Sequence, residues 1–149
     1  MKFTCSIVIN RPIQDVVAVF NDPQYLSFFQ DGFLRKEFLS GIPGQEGSIA
    51  KMYYQYGKGE MELTETILIQ ELPDRFKAFY HHKHMDNTME CTFKDLMRGR
   101  TEYISEIEYT AFRGFMPKLL AKLFPGIFKK QVQKWLNNFK TYMEEKHPL

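Results

Sequence analysis

The sequence predicts an α+β fold in which a seven-stranded, curved antiparallel sheet wraps a long C-terminal helix, with two short helices between strands 1 and 2. Three observations carry this. Past Pro125 the apolar residues Ile127, Phe128, Val132, Trp135, Leu136, Phe139, Tyr142 and Met143 recur at helical spacing, with lysines, glutamines and asparagines between them. Such a segment is about 30 Å long, enough to lie across a whole sheet. From Phe33 to Thr110 the chain shows β-rich runs and turn formers with no helical period. A curved antiparallel sheet needs a cover for its apolar concave face, and the terminal helix is the one long amphipathic element available.

Taken in order, Phe3, Cys5, Ile7 and Ile9 alternate with Lys2, Thr4, Ser6 and Val8, the pattern of a half-buried strand over Met1–Ile9. Pro12 suits a first helical turn, and Ile13, Val16, Val17 and Phe20 form a short apolar face. Asp22 offers an N-cap oxygen and Pro23 a first turn for a brief second helix ending near Phe29. Strands are expected at Phe33–Ser40, Ser48–Tyr56, Met61–Leu72, Phe76–Met85, Thr88–Leu96 and Arg100–Thr110. The links Gly41–Gly44, Gly57–Gly59, Pro73–Asp74, Asp86–Asn87 and Arg98–Gly99 are short, so neighbouring strands run antiparallel in one meander. Leu119, Leu120, Leu123 and Phe124 lead into Pro125–Gly126, where a kink or break is expected.

The 149 residues fit one domain spanning 1–149. A net charge of +2 with both signs interspersed argues against a nucleic-acid partner. Cys5 and Cys91 lie far apart, which points to reduced, buried thiols and a cytoplasmic location. No apolar run reaches membrane-span length. Lysines beside the apolar residues of 118–134 also suit a helix lying on an anionic membrane, but a solvated outer face over a buried inner one explains the same residues and is preferred. The composition leaves oligomeric state open.

The opening Ile7–Val16 followed by Asn21–Asp22–Pro23, the segment Gly44–Ser48 and the tail Phe115–Met143 together resemble the helix-grip superfamily: SRPBCC or START-like domains, polyketide cyclases and birch-pollen-allergen-like proteins. The resemblance covers essentially the whole chain. It implies a cavity between helix and sheet, lined by alternate strand residues; it does not imply a single activity, because function resides in the site and not the fold.

Candidate lining residues follow from alternation. Met52, Tyr54 and Tyr56 share a face of strand three, and Met61, Leu63, Glu65, Ile67 and Ile69 a face of strand four. Met89, Cys91 and Phe93 share one on strand six; Tyr103, Ser105, Ile107 and Tyr109 share one on strand seven. Phe76, Ala78, Tyr80, His82 and His84 do so on strand five. Leu123, Phe128 and Trp135 come from the tail. Core packing accounts for most of these singly; together the Tyr and Met residues make a surface both apolar and adaptable. Glu65 is the anomaly, a carboxylate amid Met61, Leu63 and Ile67 that needs a partner if buried and is then a candidate acid or base. His82 is a candidate hydrogen-bonding or proton-transfer group at the cavity mouth. The His82–His84 pair lacks a third ligand by spacing, so no metal is assigned, nor any cofactor. No phosphate-loop, nucleophile-elbow, zincin or dinucleotide motif occurs.

The leading expectation is binding of a small hydrophobic or aromatic molecule, lipid or polyketide-like, oriented by Glu65, His82, Tyr80 or Tyr103. The alternatives are a cyclase- or dehydratase-like enzyme using Glu65 or His82, and a protein-partner module of the chaperone-activator type contacting through Arg35, Lys36 and the convex strands.

Overall fold

A computed structural model describes residues 1–148. The seven strands are β1 (Lys2–Ile9), β2 (Phe33–Ser40), β3 (Ile49–Tyr56), β4 (Gly59–Glu71), β5 (Arg75–His81), β6 (Met85–Met97) and β7 (Arg100–Phe112). They form one antiparallel sheet in the order β1-β7-β6-β5-β4-β3-β2. β2 to β7 form a meander, but β1, expected to open that same meander beside β2, pairs instead with β7 at the far edge. Helix α1 (Ile13–Phe20) and a 3-10 helix (Pro23–Phe28) therefore carry the chain from one edge of the sheet to the other. Pro12 sits one position earlier than expected, as the N-cap of α1; Asp22 caps the 3-10 helix by accepting from the Gln24 amide.

Helix α3 (Gly126–Thr141) lies over the concave face and turns Phe128, Leu136 and Phe139 inward. It is tied along β1, where Lys140 Nζ donates to the Val8 carbonyl at 2.6 Å and Gln133 Nε2 to that of Ser6 at 3.3 Å. At its far end a π-helical turn, Tyr142–Lys146, presents Glu144, whose Oε2 accepts from the Asn10 amide at 2.8 Å. Phe139 is fully buried, edge-on to Phe29 and Tyr103, and anchors the helix to the sheet and to the 3-10 helix at once.

Four further expectations are corrected. The helix breaks at Phe124–Pro125 as expected, but the preceding α2 (Phe115–Leu123) buries nothing and Leu123 does not face the cavity: Met116, Leu120 and Leu123 stand 66%, 38% and 57% exposed. Within the tail the covering is done by α3 and the turn that follows it, because the break at the proline separates their axis from that of α2. Strand five ends at His81 and not Met85, and the turn falls at His82–His84 instead of Asp86–Asn87. Asp86 is held in β6 by Arg113, whose Nη2 and Nη1 donate to its two carboxylate oxygens at 2.7 and 2.9 Å. That carboxylate also meets His81 Nδ1 at 2.7 Å, so it braces the strand ends that flank the turn. On β4 a register shift at Leu68 inverts the faces beyond it, so that Gln70 pairs with the buried Phe76 and Ile69 leaves the face of Ile67. Cys91 and Phe93 point inward but lie behind the cavity wall, in the solid part of the core.

β2 is an edge strand whose pairing with β3 is interrupted twice, between Phe33 and Arg35 and between Phe38 and Ser40. The β2–β3 turn brings Gly41 against Ser48: a Cβ at Gly41 would lie 2.8 Å from the Ser48 Cα, and its φ of +79° also demands glycine. Both cysteines are buried, and burial pushes the Cys91 thiol up to about 12.

Candidate functional site: a cavity between the sheet and α3

The sheet curves away from α3 far enough to leave a cavity of about 760 Å³. Its size lies within the range of about 300–1,000 Å³ usual for small-molecule sites. β3, β4 and β7 build the wall as alternation predicts: Met52, Tyr54 and Tyr56, then Met61, Leu63, Glu65 and Ile67, then Tyr103, Ser105, Ile107 and Tyr109. From α3 come Phe128, Val132, Trp135 and Leu136, at the spacing of one helix face. Trp135 stacks on Tyr54 with ring centroids 5.8 Å apart and planes at 15°, so rings from helix and sheet close that side.

Most of the sequence-predicted lining residues meet at this wall, among them Met52, Tyr54, Tyr56, Glu65, Ile67, Tyr80, His82, Tyr103, Phe128 and Trp135. Ile69, Ala78, His84, Cys91, Phe93 and Leu123 do not. Phe93 is occupied by Phe20 and Tyr103, at centroid distances of 5.0 and 4.7 Å, and so belongs to the packed core. Leu123 sits on the solvent face of α2, beyond the proline break.

The wall is largely apolar, and its buried ion pair is at Glu65. Glu65 is 5% exposed and has two partners: Lys36 Nζ at 2.8 Å from Oε1, and the Tyr80 hydroxyl, which donates to Oε2 at 2.7 Å. Register explains the reach. Lys36 lies opposite Met52 and Glu65 opposite Ala50, so the lysine stem crosses β3 diagonally beside the small Ala50 side chain. Sequence reasoning placed Lys36 on the convex side; its alternation with Arg35 and the need of a buried acid for a cation were the signals pointing inward. Arg35 does face outward, forking onto Glu60 at 3.0 and 2.9 Å.

Burial, reinforced by the Glu65 charge, holds the Tyr80 phenol well above its ordinary value, so it stays a neutral donor. Tyr54 is raised in the same way and donates to Gln30 Oε1 at 2.7 Å. Tyr103 is raised by burial and then by Cys91, while Tyr109 goes up to about 12. The Trp135 Nε1 is buried without a hydrogen-bond partner among the described residues. His82 lies beyond the end of β5, in the turn at the cavity rim. Partial burial, then the neighbouring His84, Lys83, His81 and Arg113, lower its pKa, which leaves a neutral imidazole at pH 7. Its Nδ1 accepts from the His84 amide at 3.1 Å, a use that turns the pair into a local turn device. No group of three His, Cys, Asp or Glu side chains converges among the described residues.

Solved structures share this architecture. The Zhui aromatase/cyclase from a Streptomyces species aligns with a TM-score of 0.77 at 11% identity, over 100% of this chain and 99% of that one. A conserved protein from Geobacillus kaustophilus gives 0.78 at 14% identity, over 99% and 98%. Ara h 8.0201 gives 0.71 at 11%, over 95% and 96%. At these identities the likeness is one of fold, and the chain has the helix-grip fold. No family model matches the sequence, and no curated protein matches it.

Proposed function

We propose that the protein binds a small hydrophobic or aromatic molecule in the space between the sheet and α3, with a polar end of that molecule meeting Lys36, Glu65 and Tyr80. The observation that carries this reading is the buried Lys36–Glu65–Tyr80 cluster set in a largely apolar wall. Apolar contact supplies affinity at about 25 cal/mol per Å² removed from water, less the costs of ordering. Orientation comes from the cluster: the ion pair is internally neutralised yet offers the remaining ammonium protons of Lys36 as donors and Glu65 as an acceptor. The unpartnered Trp135 N–H adds a donor on the helix side.

The fold is shared with an aromatase/cyclase, and the Tyr80–Glu65 hydrogen bond favours a second reading, proton transfer on a bound substrate. Binding requires only the cavity, whereas chemistry requires Glu65 as well.

Uptake of anilinonaphthalene sulfonate, followed by dye emission and by quenching of the lone Trp135, tests the proposal. Dye taken up by the wild type, reduced severalfold by the cavity-filling Ile107→Phe and displaced by aromatic or lipid competitors, is the expected result. Uptake unaffected by Ile107→Phe, together with a native mass spectrum free of ligand after incubation with competitors, overturns it. Turnover of a substrate abolished by Glu65→Gln with dye uptake retained would establish the enzymatic reading.

A further inference from the structure

The helix α2 has the composition of a covering element and covers nothing. Met116, Leu120 and Leu123 fall at i, i+4 and i+7, on one helix face, and that face is turned to solvent. Phe115 and Phe124, 75% and 58% exposed, extend the apolar surface at its two ends, and Ile127, half exposed, continues it into the first turn of α3. Contiguous apolar surface of this extent on a folded protein marks an interaction site.

Charge indicates what that site meets. From Tyr109 to Met143 the chain holds no aspartate or glutamate but seven lysines and arginines. Arg113, Lys134 and Lys140 are paired with Asp86, Asp31 and Glu144. Lys118, Lys122, Lys129 and Lys130 are exposed, with no ion-pair partner among the described residues. A strip of apolar side chains next to unpaired lysines, with no acid in the same stretch of chain, is complementary to a lipid surface with anionic headgroups. No helix among the described residues is long and apolar enough to cross a membrane, so contact by this element is interfacial.

We infer that α2 and the α2–α3 corner are a peripheral docking surface for an anionic membrane. Met116, Leu120, Leu123 and Phe124 enter the headgroup–acyl boundary, and the four lysines meet lipid phosphates. The surface is continuous with the proposed binding space, since Ile127 is both exposed on the corner and part of the cavity wall. Docking therefore brings the α3 side of the cavity against the lipid. The inference stands on α2 itself and holds whether or not the cavity takes a ligand.

Sedimentation of the full chain with phosphatidylcholine vesicles, with and without about one-third phosphatidylglycerol, tests it. Binding is expected to the anionic vesicles and not to the neutral ones, and to fall as salt rises. Lys118→Gln with Lys122→Gln should weaken it by about twenty-five-fold, from about fivefold per lysine. Leu120→Ser with Leu123→Ser should abolish it. All four residues lie outside the core, so unchanged circular dichroism and dye uptake will show the fold intact. Absence of binding to anionic vesicles, equal binding to neutral ones, or binding indifferent to both double variants overturns the inference. Self-association in gel filtration that is lost in the leucine variant, without vesicle binding, also overturns it and reassigns the face to a second copy of the chain.

Discussion

Replacing Lys36 by methionine should be far more damaging than loss of a typical lysine, and its size can be worked from the cavity wall. Side-chain exposures of 13% and 6% place Lys36 and Glu65 where solvent screens little. At an effective dielectric of about 20, unit charges 2.8 Å apart attract by about 6 kcal/mol, most of it offset by desolvation. Removing the cation alone leaves a buried carboxylate with only the Tyr80 hydroxyl, at a cost of about 3–5 kcal/mol. For a chain of this length that lowers the melting temperature by roughly 10 °C. Lys36→Met together with Glu65→Leu removes both charges and restores most of the loss, since an apolar replacement of a buried pair is close to neutral. Urea denaturation of wild type, both single variants and the double closes the cycle. A Lys36→Met loss under about 1 kcal/mol, the scale of a surface pair, or single losses that simply add in the double variant, would refute the argument.

Phe139→Ala removes the fully buried ring that joins α3 to Phe29 and Tyr103, and should cost about 3–5 kcal/mol by calorimetry. His82 has a folded pKa below its ordinary 6.5, so the unfolded chain binds the proton more readily. Stability should thus decline as pH falls through about 6.5 and below, and His82→Gln should flatten that part of the urea-midpoint profile. Asp86 is depressed below its ordinary 3.8, chiefly by the Arg113 hydrogen bonds, so its stabilising contribution is present above that pH and is lost on acidification through the lower folded value. Arg113→Ala also removes the guanidinium that donates to the His82 and Lys83 carbonyls, and amide exchange in residues 82–86 should accelerate while the β1–β7 amides keep their protection.

The architecture was legible because periodicity reports it directly: Phe3 to Ile9, Tyr103 to Tyr109 and the α3 stripe each keep one period over several residues. The site was legible where alternation is unbroken, as from Met61 to Ile67, and Glu65 was found as a polar residue in an apolar register. It became illegible where tertiary contacts override local pattern. The Leu68 bulge reverses the strand faces, and Arg113 recruits Asp86 from a turn-like dipeptide into a strand. Lys36 was missed because a charged residue on an edge strand reads as solvated, and only the distance to Glu65 shows otherwise. On α2 the pattern was read correctly as amphipathic, but periodicity does not say which way such a helix turns its apolar side.

The two irregularities in β2 have a consequence for how molecules meet each other. An outermost strand with regular spacing along its whole length invites a neighbour's strand to add to it, the first step of sheet growth between chains. Here the free rim is offset at both ends and stays regular only through the short stretch from Arg35 to Phe38. Its charged residues Arg35 and Glu37 fall within that stretch. An incoming strand finds few amides in line to hold on to, which is how an uncovered sheet edge is kept from templating a neighbour's strand.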